Sequence, residues 1–215
     1  MQSIVVVGDV DADAVVAKIK DLFGQLPKAE NPKAKEPVVV PDNATPIVSI
    51  FTHKENQQTS VLFAVKSPAI PKQFRGLGVA MLNDLVEWLM SSMINERLQD
   101  ISRTPDAPFL YASADLADLS YDLHAFMGDG EALKGFKGLV TELERVKRYG
   151  FTPDEFERAK AKILKSYETA KNNAASRQNP QLVQNLMGHF LTGDPYLDPE
   201  YEYNTVQQFL AMVPL

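Results

Sequence analysis

Prolines at positions 27, 32, 37, 41 and 46 interrupt a stretch otherwise rich in Lys, Glu and Ala. Proline fixes φ and has no amide hydrogen, so a run broken this often propagates neither a helix nor a sheet ladder. Residues 27–46 therefore read as a linker. It divides the 215 residues into a short leading unit, 1–26, and a long one, 47–215, which is large enough to bury a core of ordinary size.

In the leading unit, Ile4–Val7 is a continuous β-branched run closed by Gly8. Asp11 or Asp13 then stands where a helix N-cap belongs, ahead of Val15, Val16, Ile19, Leu22 and Phe23 at helical spacing, and Gly24 ends the pattern. The expectation is a strand followed by a helix. Beyond the linker, residues 47–53 (IVSIFTH) and 59–66 (TSVLFAVK) are β-branched and aromatic runs separated by polar Lys54 to Gln58, as in two strands of an antiparallel sheet.

From Leu77 to Ile101 the apolar Met81, Leu82, Leu85, Leu89, Met93 and Leu98 share one broad face, which predicts a long amphipathic helix. Alternation returns in Phe109 to Leu116 and Tyr121 to Met127, predicting a second strand pair around a turn at 118–120. A helix with Leu133, Phe136, Val140 and Leu143 on one side follows, and Gly150 is placed to relieve its end. The next helix start is the sharpest local signal in the chain. Thr152 stands as N-cap, Pro153 at the first helical position, Glu155 three residues after the cap, and Phe151 is placed to staple onto Phe156. Phe156, Ala159, Ile163, Tyr167 and Ala170 continue its buried face; a further helix carries Leu182 to Phe190, and another begins at Asp198. Together these predict an α+β fold: a mainly antiparallel sheet with helices packed on one face.

The chemistry is sparser than the structure. A net charge of −6 provides no electrostatic footprint for nucleic acid or an anionic membrane, so neither is expected as a partner. No cysteine is present, which excludes disulfides, thiolate zinc sites and cysteine nucleophiles from these residues. No apolar run approaches the roughly 20 residues that span a bilayer. His53, His124 and His189 are far apart, none in an H-E-x-x-H or H-x-x-E-H pattern, and read as packing or surface residues. Gly8 to Asp13 holds one glycine where a dinucleotide turn needs three. Asp9, Asp11 and Asp13 alternate like calcium ligands but lack the EF-hand glycine and closing glutamate, so capping explains them better. Glu87, Glu96, Asp100 and Asp106 fit a solvated helix face, and Ser91, Ser92 and Ser102 lie in no nucleophile elbow. The lysines and arginines of 145–165, interleaved with acids, read as an ion-paired surface.

Four segments resemble the pitrilysin/insulinase-type zinc metallopeptidases, in the order that family has them. SIVVVGDVDADAVVAKIKDLFGQLP (3–27) resembles the strand, turn and helix that end a peptidase domain. HKENQQTSVLFAV (53–65) and INERLQDISRTPDAPFLYASADL (94–116) resemble the opening strands, long helix and following strand of the next domain, and YGFTPDEFERAKAKIL (149–164) resembles its later helix start.

The resemblance implies tandem domains of related fold closing around a peptide, with zinc held by an H-x-x-E-H helix. It assigns 1–26 to the end of a preceding domain, 27–46 to a linker and 47–215 to a metal-free domain lacking its last strand. Zinc is implied for the parent protein only, since the motif is absent here; neither catalytic nor metal residues are expected in this chain. The metal-free domains carry an arginine shortly before a tyrosine that helps hold substrate. Arg103 and Tyr111 match those places, although the spacing is longer by one and Pro108 and Phe109 replace a Gly-Leu pair. The implied partners are other domains of the parent polypeptide and a peptide substrate. An unpaired Ile4–Val7 strand adds the expectation of edge-strand association, with this chain's own open edge or a neighbouring copy's. Two other readings stand beside this one: a core-type structural subunit of the same fold without proteolysis, and an unrelated α+β binding module. Compartment is unreadable; periplasm or cell envelope suits a bacterial source, and cytoplasm or an organelle is not excluded.

Overall fold

A computed structural model describes residues 3–27, 30–31, 40–67, 70–75, 78–117, 120–193 and 195–215. Asp11 opens the first helix, α1 (Ala12–Phe23), its carboxylate accepting the Ala14 N–H at 3.0 Å and satisfying one of the amides orphaned at a helix start. The chain then forms β1 (Thr59–Lys66), a single turn α2 (Lys72–Arg75), the long α3 (Gly78–Ser102), and strands β2 (Tyr111–Ala117) and β3 (Ser120–Met127). Four helices follow: α4 (Ala132–Tyr149), α5 (Pro153–Asn172), α6 (Asn179–Thr192) and α7 (Pro199–Met212), with a 3-10 turn at Ala174–Ser176 before α6.

The sheet is antiparallel in the order β1-β3-β2, with Leu62, His124 and Ser113 in one cross-strand row. The period of two sends Leu123, Ala125 and Met127 of β3, with Ala112 and Ala114 of β2, to one buried face. Ile94 and Leu98 of α3, Leu139 of α4, and Phe109 cover that face. The other half of α3 serves a second core, in which Leu85, Leu89 and Met93 meet Phe156, Ala159 and Ile163 of α5 and Val206 and Leu210 of α7. One helix thus ties the sheet to the rest of the helix layer. Leu98, Leu139 and Ile163 are wholly excluded from water, each contributing about 1.5–3 kcal/mol over an exposed position.

The α5 start forms as its sequence predicts. Thr152 and Glu155 make both halves of the capping box, and Phe151 packs into the cluster that contains Phe156. Gly150 has φ +65° and ψ −149°, a conformation open to glycine. The α4 face differs from the prediction. Leu133 and Phe136 are exposed, and Gly135, Leu139 and Glu142 are buried in their place. The reason is close approach: a Cβ on Gly135 would collide with the Met127 side chain, and one on Gly138 would lie 2.6 Å from Pro108 Cγ. The two glycines let α4 settle on β3 and Pro108, which turns Leu133 outward.

Two predicted strands do not form. Residues 4–7 have no ladder partner among the described residues, and Ile4 and Val6 are half exposed, so the expected pairing with an edge of this same chain is not seen. Residues 47–53 are likewise unpaired, and Ile47, Val48, Ile50 and Phe51 are each at least 77% exposed. β-branched composition prepares a strand, but pairing makes one, and no strand among the described residues pairs with either run. The second strand pair begins later than predicted, at Tyr111, because Phe109 instead inserts into the core at 2% exposure. The expected turn at 118–120 falls partly on residues 118 and 119, outside the described residues.

Candidate functional site

Arg103 and Tyr111 flank the connection from α3 to β2. Arg103 follows the last residue of α3 and is exposed, its guanidinium 3.7 Å from Asp100, one turn back. Tyr111 opens β2 on the sheet face opposite the helices, 58% exposed, with its ring centroid 6.3 Å from that of Phe126 on the adjacent strand. Each side chain thus has a partner of its own, Asp100 and Phe126 respectively.

Alternation assigns the rest of this open face. The rows Ser60–Phe126–Tyr111, Leu62–His124–Ser113 and Ala64–Asp122–Asp115 cross all three strands. Aromatic carbon lies toward one end and two aspartates, opposite one another, toward the other; Ser120 Oγ donates to Asp122 at 2.7 Å. The alternation that would reveal this face was present in the sequence, but only the cross-strand register places Phe126 beside Tyr111 and His124 between Leu62 and Ser113.

A charged group that sequence reasoning missed sits between the helices. Arg97 of α3 is held bidentately by Glu155, with Nη2 donating to Oε2 at 2.8 Å and Nε to Oε1. It also donates to Glu142 Oε1 at 3.1 Å and the Gly150 carbonyl at 3.0 Å, and its guanidinium lies 4.9 Å from the Phe151 ring centre. Glu142 is only 4% exposed at its side chain. The hydrogen bond from Arg97, outweighing burial, lowers the Glu155 pKa to about 2; the bond to Glu155 raises that of Arg97. All five donors of a guanidinium can be used in such a fork. Its partners are structural: an α4 acid, the α4–α5 turn and the α5 capping box. The group therefore fixes α3, α4 and α5 together rather than presenting a reactive charge.

The histidines are dispersed. His53 stacks on Phe51 with ring centroids 6.4 Å apart and accepts the Glu55 N–H at Nδ1, His124 is mid-strand, and His189 is in the last turn of α6. Among the described residues, no group of three or more His, Asp or Glu is placed to hold a metal ion. The basic stripe is ion-paired on the surface, as in Arg158–Glu96 at 2.9 Å and Arg148–Glu144 at 3.2 Å. No described helix is long and apolar enough to cross a membrane.

A helix layer over one face of an antiparallel sheet, with the opposite face open and polar-aromatic, defines an α+β domain. The profile of the family described as "Peptidase M16 inactive domain" matches residues 2–163, and the chain belongs to that family. It is 25% identical over 210 residues to "Probable zinc protease PqqL" of Escherichia coli (strain K12), covering 93% of this chain and 22% of that protein. It is 26% identical over 216 residues to "Zinc protease PQQL-like" of Arabidopsis thaliana, covering 98% of this chain and 20% of that protein. The chain thus spans about a fifth of the length of the curated relatives it matches. Among solved structures, the fold matches the periplasmic protease PqqL from Escherichia coli with a TM-score of 0.70 at 21% identity, over 96% of this chain and 23% of that one. The "Predicted insulinase family protease from Yersinia pestis" gives 0.81 at 16% identity, over 97% of this chain and 45% of that one. In these structures, the fold is one part of a longer chain.

Proposed function

We propose that this chain is a metal-free domain of a larger zinc peptidase, in which the open sheet face lines the space that holds a peptide. The observation that carries the reading is the inactive-domain match across residues 2–163, in a chain spanning about a fifth of relatives named as zinc proteases. Residues 1–26 close a preceding domain, 27–46 link the two, and 47–215 form the metal-free domain. Zinc belongs to the parent protein. The residues present here do not fit it, since the three histidines are dispersed and no described group could hold a metal, so no chemical step is routed through this chain.

Its contribution is binding. The Arg103 guanidinium donates to a peptide carbonyl, and the Tyr111 hydroxyl donates to a substrate oxygen on which negative charge develops. The partners are the remaining domains of the parent polypeptide and the peptide itself. The outer edge of β1, which has no strand beside it among the described residues, adds a capacity for strand pairing between copies.

The test uses the parent protein. Tyr111→Phe should lower kcat/KM for a peptide about tenfold to a hundredfold, the range of losing one hydrogen bond to a charged oxygen. Arg103→Ala should act mainly on KM. Unchanged kinetics in both variants would remove these residues from the site. A parent without zinc-dependent cleavage would leave the chain as a structural subunit.

A further inference from the structure

Residues 47–53 are exposed and have no strand partner among the described residues, yet they are held alongside the outer edge of β1. One end is fixed by a turn: the Asn56 N–H donates to the His53 carbonyl at 3.0 Å, and β1 opens shortly after, at Thr59. The other end is fixed by Lys66, the last residue of β1, whose ammonium donates to the Pro41 carbonyl at 2.6 Å. Residues 41–53 therefore run from one end of β1 back to the other. Slack is taken up before the apolar run, where the Asn43 amide donates to the Thr45 carbonyl at 2.6 Å in a bend. The run that remains, 47–53, spans about 20 Å when extended, at about 3.3 Å per residue, and β1 is eight residues long. Length and direction both suit an antiparallel hairpin.

The connector sets the register. Residues 54–58 put His53 opposite Thr59. Phe51 then falls opposite Val61, Ser49 opposite Phe63 and Ile47 opposite Val65 on the helix side, with Val48 and Ile50 beside Ala64 and Leu62 on the open face. The helix side has apolar carbon to cover. Val61 and Phe63 pack against the sheet core, the Phe136 ring of α4 lies 6.2 Å from that of Phe63, and Phe136 and Leu133 are left 39% and 64% exposed. The small Ser49 would leave room beside the Phe63–Phe136 pair, and Phe51 and Ile47 would flank it. Pairing would also give the outward N–H and C=O groups of β1 protein partners in place of water.

We propose that residues 47–53 are a strap that closes on the outer edge of β1 as a fourth strand, and that this edge accepts a second copy only while the strap stands open, as it does in the structure. The inference rests on the reading of β1 as an edge that takes a strand, and adds to it a device within the chain that removes the edge. Open and closed forms interconvert, so the β1 amides of the dilute chain still exchange with solvent through the open form.

The chain has no cysteine, so an introduced pair reports closure alone. In the 215-residue chain, one variant would combine Thr52→Cys with Ser60→Cys and another Phe51→Cys with Val61→Cys, one pair of each cross-strand type. In dilute solution with oxidised glutathione as the oxidant, at least one pair should bridge within a single chain, seen by intact mass as a monomer that has lost its two thiol hydrogens. Thr52→Cys with Val61→Cys, which the register sends to opposite faces, should bridge at least about tenfold more slowly. The bridged chain should remain monomeric in sedimentation at concentrations where the same chain, reduced, associates. Three results would each overturn the proposal: no bridge within the chain in either matched pair, a mismatched pair that bridges as fast, or a bridged chain that associates as readily as its reduced form. A native chain that never associates would instead remove the reading of the edge, because the bridging rates report closure independently.

Discussion

Arg97 shows how one residue can carry an architectural decision. Its guanidinium compensates Glu142, which is almost fully enclosed on the buried face of α4. Removing one partner of an enclosed ion pair leaves a charge without compensation, so Arg97→Ala should cost about 3 kcal/mol or more in urea unfolding. Arg97→Lys should recover only part of that, because an ammonium cannot reproduce the two-bond fork with Glu155. The same group fixes an acid response. The Glu155 pKa is lowered from 4.5 to about 2 in the fold, so between those values the unfolded chain binds more protons. Stability from this group is therefore fully present above about pH 4.5 and is lost as pH falls toward 2. Midpoints of unfolding measured across that window should fall with pH in the native chain and fall less in Glu155→Gln. The sequence made half of this legible. Thr152 to Phe156 announced a capping box because its members lie within one helical turn. Arg97 lies 45 residues from Glu142 and 58 from Glu155, and no local pattern links them.

At the scale of elements, α4 separates what periodicity can predict from what it cannot. Leu133, Phe136, Val140 and Leu143 form a plausible apolar stripe, yet the helix rolls so that Gly135, Leu139 and Glu142 face inward. Two terms outweighed the apolar periodicity: an acid became buriable once Arg97 was present, and two glycines allowed closer contact than any larger residue. Gly138→Ala gains helix propensity of about 1 kcal/mol but brings a methyl within 2.6 Å of the rigid Pro108 ring, an overpacking cost of about 1–3 kcal/mol. The net effect should be destabilising in thermal unfolding, and Pro108→Ala should be less harmful in the Gly138→Ala background than alone, the sign of two residues competing for one space. The strands give the same lesson from the other side. Thr59–Lys66 and Ile47–His53 have similar β-forming composition, but the first lies against β3 and the second has no strand partner among the described residues. Strand identity depends on a neighbour, and a neighbour is not a local property.

For the whole molecule, the fold class was legible because two strand-rich stretches separated by one long amphipathic helix leave few ways to build a covered sheet. The open face was only partly legible, since Tyr111 could be named in advance while its neighbour Phe126 depends on register. Least legible was the asymmetry between the two sheet edges. The outer edge of β2 is tied down by Asn95 and Ser91, whereas β1, eight residues long and charged only at Lys66, has no strand on its outer side among the described residues. An edge that is apolar along most of its length, with no strand beside it among the described residues, is a template for another strand. Hydrogen exchange on the dilute chain should therefore find outward amides of β1 exchanging quickly while those of β3, paired on both sides, stay protected. Raising the concentration should protect the β1 amides as copies pair. Asn95→Ala should then do two things at once: destabilise the chain by about 1–3 kcal/mol through the unpartnered Ala114 peptide groups, and release a second edge, so that sedimentation shows species larger than the native chain forms. A native chain that stays monomeric with unprotected β1 amides at every concentration would show that the edge does not associate, and self-pairing would be withdrawn while the domain assignment stands.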